Sequence, residues 1–305
     1  MTEGIQLTAL DGANPLAFLA ALGSLRLLDL RFPERGIRLH WSRDPVWRPC
    51  LTDTGLAASG LPSTLRGAAS APSGAFGALG KNLTVDRATF ENFVRSALGA
   101  ASPKDRRAAD FAAAFGSESL GDAKKNRIYY TDLCFISGSG HQDFLATVAG
   151  LGRKVTEEHI RAALFGPWKR DKGLSMRWDP ADAAQYALQW SDPSGEGASA
   201  VWGANFLAIE ALPLFPAQPT SRGLKTTGFR QPLRRDEPEF RWPLWTAPLT
   251  CGAVRSLLTL GEMHKPVPDH ESLLARGVAG IYGARRARFG QGANFKVSFR
   301  PASAL

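Results

Sequence analysis

The stretch Asn14–Leu30, NPLAFLAALGSLRLLDL, decides how the rest of the chain is read. Asn14 is a strong helix cap, because its side chain can accept from the free first-turn amides. Pro15 suits the first helical position, where it has no N–H to satisfy. Behind them, Leu16, Phe18, Leu19, Leu22, Leu25, Leu27, Leu28 and Leu30 cover nearly every face of one helix. A helix apolar all round is buried by its neighbours. Gly23 in its middle costs about 1 kcal/mol of propensity and signals close approach of another backbone. Outward from this helix, Ile5, Leu7 and Ala9 alternate with polar residues before an Asp11–Gly12 turn. Ile37, Leu39 and Trp41 alternate after it, with Arg38 and His40 between them. Both patterns read as half-buried strands.

Further along, residues 52–83 are rich in Gly, Ala, Ser and Pro and read as a long loop. Phe90, Phe93, Val94, Ala97 and Leu98 form one helical stripe; Ala108, Phe111, Ala112 and Phe115 form the next. Lys124-Lys125-Asn126-Arg127 is a short basic turn before a strand through Ile128, Tyr130, Leu133 and Phe135. Ser137-Gly138-Ser139-Gly140-His141 is a glycine turn, followed by a helix with Phe144, Leu145, Val148 and Leu151 on one face. Strand, glycine turn and helix can present free N–H groups to a phosphate, although neither GxGxxG nor the P-loop spacing is met. Another helix starts at Thr156, a strand runs through Tyr186, Leu188 and Trp190, a polar linker covers 191–199, and a buried helix spans Val201–Leu212. Gly203-Ala204-Asn205 echoes Gly12-Ala13-Asn14, which reads as shared helix capping by asparagine. The tail brings alternating Phe240, Trp242 and Leu244, two helices at Ala253–Leu260 and His270–Ala279, and a closing strand with Lys296, Ser298 and Arg300 on one face. The expected fold is α+β, with mixed strands and buried helices in two closely packed subdomains, 1–221 and 222–305.

Charge separates those two parts. The chain of 305 residues carries a net charge of +9, and 27 of its 37 cations are Arg. Residues 222–305 hold 14 Lys+Arg against 6 Asp+Glu, whereas the first 221 residues are nearly neutral. Arg suits bidentate phosphate contacts better than Lys does. The start, Met1-Thr2-Glu3-Gly4, lacks the basic region of a signal peptide, and no apolar run is long enough to span a bilayer. Cys50, Cys134 and Cys251 are scattered and form no CxxC. A cytoplasmic, reduced, soluble protein without membrane contact is expected.

Catalytic motifs are missing from this sequence. His40, His141, His159, His264 and His270 lie in no HExxH or HxH pattern, and no Cys–His group has zinc spacing. There is no GxSxG, and Ser137 and Ser139 have no recognisable partner. No metal, cofactor or catalytic residue is therefore assigned. His141 is the best single candidate for substrate contact, since it follows a glycine turn at a helix start. A metal-independent ribonuclease using such a His remains the enzymatic alternative.

The strongest functional signal is a nucleic-acid footprint. Arg222, Lys225, Arg230, Arg234 and Arg235 form one basic cluster; Arg285, Arg286, Arg288, Lys296 and Arg300 form another. Phe229, Phe240, Trp242, Trp245, Tyr282, Phe289 and Phe295 are interleaved. Cations neutralise phosphates, and aromatic faces can stack on bases. Lys124, Lys125 and His141 are secondary candidates.

Four stretches carry a family likeness: Asn14-Pro15-Leu16-Ala17-Phe18-Leu19-Ala20-Ala21-Leu22-Gly23, Gly140-His141-Gln142-Asp143-Phe144-Leu145, Trp178-Asp179-Pro180, and Ala208-Ile209-Glu210-Ala211-Leu212-Pro213-Leu214-Phe215-Pro216. Together they resemble accessory subunits of type I CRISPR effector (Cascade) complexes, especially the type I-G branch, formerly I-U. The resemblance implies a non-catalytic subunit of an RNA-guided antiviral complex. Its partners would be CRISPR RNA, target DNA, other Cascade subunits and a helicase-nuclease recruited in trans. Pairing would read the sequence while the protein holds backbone or an adjacent motif. A scaffold role without nucleic-acid contact is the other alternative.

Overall fold

The computed structural model describes residues 4–69, 76–102, 105–136, 142–182, 199–221, 223–230, 237–289 and 296–305. At its centre lies the helix Pro15–Arg31, capped by Asn14 Oδ1, which accepts from the amides of Leu16 and Ala17. Every residue from Pro15 to Leu28 is buried. Helices Leu61–Ala68, Trp202–Ile209 and Cys251–Leu258 pack around it. Gly23 is the closest of these approaches: a Cβ there would lie 1.8 Å from the Leu207 carbonyl oxygen. Gly203 repeats the device on the next helix, where a Cβ would lie 2.0 Å from the His159 carbonyl oxygen of helix Glu157–Phe165. Two glycines thus let three helices stack nearly backbone to backbone.

Two antiparallel sheets complete this α+β fold. The first runs in the order Ile5–Gln6, Trp47–Thr52, Arg38–Arg43, Leu249–Thr250. The second runs Phe229–Arg230, Glu239–Trp245, Val278–Phe289, Lys296–Phe299, and Ser303–Ala304 pairs farther along the long strand. Both sheets meet the central helix through aromatic side chains. Phe18 lies 5.8 Å from both Trp41 and Trp242, measured between ring centroids. The indole N–H of Trp242 donates to Gly12 O at 2.8 Å, and that of Trp245 to Leu39 O at 2.7 Å. Each of these two indoles adds apolar area to the core and satisfies its one polar atom. One continuous apolar core therefore runs from Ile5 to Phe299. The charge boundary at 221/222 falls inside a hairpin, Ala217–Thr220 with Gly223–Thr226. It marks a change of charge within a shared core.

Three expectations need correction. The segment 52–83 is not a long loop: it holds the helix Leu61–Ala68 and 3-10 turns at Ala58–Gly60 and Gly77–Leu79. Leu61 and Leu65, four apart, bury one side, and Arg66 donates to the carbonyls of Gly152 and Val155. Small residues masked this short amphipathic turn in the sequence. The second tail helix covers only His270–Leu274, and the chain then enters a strand of 12 residues, Val278–Phe289, that alternation failed to reveal. Its two glycines, alanines and arginines blur the period-two signal. Asn205 is also no cap. It is buried within its helix, where Oδ1 accepts from Met176 N at 2.9 Å and Nδ2 donates to Val201 O at 3.0 Å. The expected strand at 186–190, the linker to residue 198 and the turn at 137–141 lie outside the described residues. Among the described residues, no helix is long and apolar enough to cross a membrane.

Candidate nucleic-acid interface

The second sheet places part of the basic tail in one row. Directly opposed residues on neighbouring strands share a face. Arg230 lies opposite Glu239, and Glu239 opposite Arg285. Arg300 N donates to Arg285 O at 2.9 Å, so the ladder continues to a fourth strand. Arg230, Glu239, Arg285 and Arg300 thus stand side by side. Interstrand spacing makes this row about 14 Å long. Glu239 is drawn sideways to Arg241, whose Nε donates to it at 2.7 Å. Arg285 and Arg300 are exposed and Arg230 is half-exposed. Arg300 also makes a two-pronged pair with Glu237, at 2.9 and 3.1 Å, and lies over the Phe289 ring. A half-exposed pair of this kind is worth at most about 1 kcal/mol.

The other sequence candidates are placed differently. Arg286 points to the opposite face, where it donates to Cys134 O at 3.1 Å, pairs with Asp132 at 3.6 Å and covers the Phe135 ring. It ties the sheet to the 131–136 segment and is not a free phosphate ligand. Arg288 is exposed and Lys296 half-buried, and both take part in further side-chain interactions. Lys124 and Lys125 are exposed at the tip of a separate hairpin, Gly116–Asp122 with Arg127–Tyr130. Arg222, Arg234, Arg235 and His141 lie outside the described residues.

Most of the interleaved aromatics are core rather than a base-stacking platform; Phe289 is half-buried beneath Arg300, and Phe295 lies outside the described residues. Phe229, Phe240 and Trp242 are fully buried and pack against one another and against Phe18 and Phe299, and Trp245 is nearly fully buried with Trp41 edge-on to it. Tyr282 is half-buried against Trp242. Nor is the last strand uniformly basic on one face, because Ser298 is buried and its hydroxyl donates to Arg177 O at 3.0 Å. The alternation belongs to the core, not to a ligand.

The stretches that carry the family likeness converge on structural ties. Asn14 Nδ2 donates to Asp179 Oδ1 at 3.0 Å, linking the first helix cap to Trp178-Asp179-Pro180. Arg170 bridges Asp179 and Asp182, and Ser175 Oγ donates to Asp182 Oδ2 at 2.7 Å. Gln142 Oε1 accepts from Arg177 at 2.6 Å. Sequence reading missed this knot, since its members are spread from residue 14 to 182 and only the fold joins them.

Burial, with Asp179 beside it, pushes the Asp182 carboxyl up to about 6. The folded state therefore holds this proton more tightly than the unfolded chain does. The contribution to stability is greatest below the ordinary value of 3.8 and is lost as pH rises through about 6. Asp182→Asn should remove a fall of about 2–3 kcal/mol between those limits. Urea unfolding of both proteins below and above that window checks it. An unchanged difference between the variants across the window would rule out Asp182 as its source.

Two cysteines are chemically quiet. Burial raises the Cys134 thiol to about 12 and the Cys251 thiol to about 11. His159 completes a capping box with Thr156 and stacks on Trp202, a structural role. Among the described residues, no group of three His, Cys, Asp or Glu side chains is placed to hold a metal ion. Neither the models of known protein families nor the curated proteins contain a match to this chain.

Proposed function

We propose that the protein is a non-catalytic, nucleic-acid-binding subunit of an RNA-guided assembly of the type I CRISPR (Cascade) kind. In this reading it holds the backbone of guide RNA or target DNA, near the adjacent motif, while partner subunits and a helicase-nuclease supply the remaining functions. The single observation that supports it is the row of Arg230, Arg285 and Arg300 across the second sheet, within the part of the chain that carries nearly all the excess charge. Guanidinium groups spaced along a row can engage successive phosphates, and no base-specific geometry is required. The near-neutral remainder serves the core and subunit contact.

The test is fluorescence anisotropy with labelled single- and double-stranded oligonucleotides over a range of NaCl. Arg285→Ala with Arg300→Ala should weaken binding and lower the slope of log affinity against log salt by about 2. Arg95→Ala with Arg161→Ala removes the same charge from two helices and should leave the slope unchanged. Equal effects from the two double variants would defeat the assignment.

A further inference from the structure

An open cavity of about 510 Å³ lies where the first sheet meets the end of helix Glu157–Phe165. Thr8, Arg48, Phe165, Pro167 and Trp168 line it, and no acidic side chain does. Its frame is tied together by hydrogen bonds. Ala9 N donates to Leu164 O at 2.9 Å and Leu7 N to Pro49 O at 2.8 Å, while Thr8 Oγ1 donates to Phe165 O at 3.3 Å. Trp168 folds back along the helix, where its indole N–H donates to Ala163 O at 3.0 Å. These ties shape the cavity before any ligand arrives, and its volume falls in the range of small-ligand sites, about 300–1,000 Å³.

Two kinds of side chain in this cavity are unspent. Trp168 and Phe165 are half-buried, and among the described residues no other aromatic ring stacks on either. The tail aromatics differ, since they pack on one another in the core. The one polar atom of Trp168 is already satisfied, so what its ring offers the cavity is apolar surface. Arg48 is half-buried, and among the described residues its guanidinium has neither a hydrogen-bond nor an ion-pair partner. A partly desolvated cation without a partner favours an anionic ligand.

A guanidinium grips a phosphate with two parallel N–H donors, and aromatic faces stack on a nucleobase. We propose that this cavity takes one unstacked nucleotide, with its phosphate on Arg48 and its base against Trp168 and Phe165. No amide or carboxylate side chain lines the cavity to read a base edge, so the site accepts any base. The nucleotide is free or is one unit of a single strand, and the second source rests on the nucleic-acid reading. The cavity borders the first sheet and the arginine row crosses the second, so each can fail without the other.

Ligand-observed NMR titration of the full chain with adenosine 5′-monophosphate and with adenosine measures the cavity. Fluorescence anisotropy with labelled octathymidylate measures a strand. Arg48→Ala removes no contact with another described side chain. It should weaken the monophosphate about tenfold or more and leave adenosine unchanged. Trp168→Leu should weaken both, whereas Trp168→Phe, which keeps a ring, should retain most of the binding. Urea unfolding checks that each variant is folded. That pattern with the monophosphate upholds the site. Octathymidylate weakened by the same variants identifies the strand as the source, whether or not the monophosphate binds alone. Monophosphate that follows the pattern beside octathymidylate that is indifferent to it identifies the free nucleotide. Monophosphate binding of this kind in a protein that takes up no oligonucleotide sinks the nucleic-acid reading and leaves the site standing. If neither probe binds, or if Arg48→Ala leaves unchanged whatever does bind, the site is overturned, and the arginine row is judged by its own variants.

Discussion

Gly23→Ala should destabilise the protein by about 3 kcal/mol or more, although alanine is the better helix former by about 1 kcal/mol. The added Cβ would meet the Leu207 carbonyl oxygen at 1.8 Å, its carbon at 2.8 Å and Ala211 N at 3.2 Å. All three are backbone atoms of a packed element, so none can rotate aside. Relief requires separating the central helix from Trp202–Ile209, which opens the core on both sides. Gly252→Ala is the matched comparison, because it lies in helix Cys251–Leu258 with nothing within 4 Å of the new methyl group. That variant should be neutral or more stable by up to about 1 kcal/mol. Thermal or urea unfolding of the pair measures the difference directly. Equal stability of the two variants would mean that the helices do not approach as described.

The second large effect concerns charge inside the core. Arg26 interrupts the leucines of the central helix, yet only 2% of its side chain is exposed. It pairs with Glu210 at 3.3 Å and with Asp110 at 3.2 Å, and Arg107 donates to the same Glu210. Glu210 is fully buried, and burial pushes its carboxyl upward while Arg107 and Arg26 hold it down. Glu210→Ala removes the anion and leaves Arg26 and Arg107 short of a partner. Loss of one member of a buried pair costs about 3–5 kcal/mol. Combining Glu210→Leu with Arg26→Met should recover a substantial part of that loss, since the network then loses a charge of each sign. Urea unfolding of the single and double variants makes the comparison. A loss no larger than that from Glu91→Ala, which breaks the exposed pair with Arg95 and should cost under about 0.5 kcal/mol, would show that the network contributes little.

These two sites also show what was legible in the chain. The cap at Asn14, the all-round apolar helix and the reason for Gly23 follow from local rules of hydrogen bonding and period, and the fold agrees with each. Helices at Arg87–Ala100, Arg107–Phe115 and Phe144–Lys154 were readable from their stripes for the same reason. The pairing of Arg26 was not legible in the sequence, because its two carboxylate partners lie 84 and 184 residues away. No local pattern encodes such a partner.

The basic tail divides in the same way. Composition and order along the chain determined that residues 222–305 are cationic, that aromatics alternate there, and that the chain is α+β. Only the tertiary structure decided which face each side chain takes. It buries Phe229, Phe240, Trp242 and Trp245 as core, turns Arg286 back onto Asp132 and Phe135, and aligns Arg230, Arg285 and Arg300 across neighbouring strands of one sheet. The physical reason is that period and capping act over a few residues, whereas a charge is freed or spent by whatever the fold brings beside it.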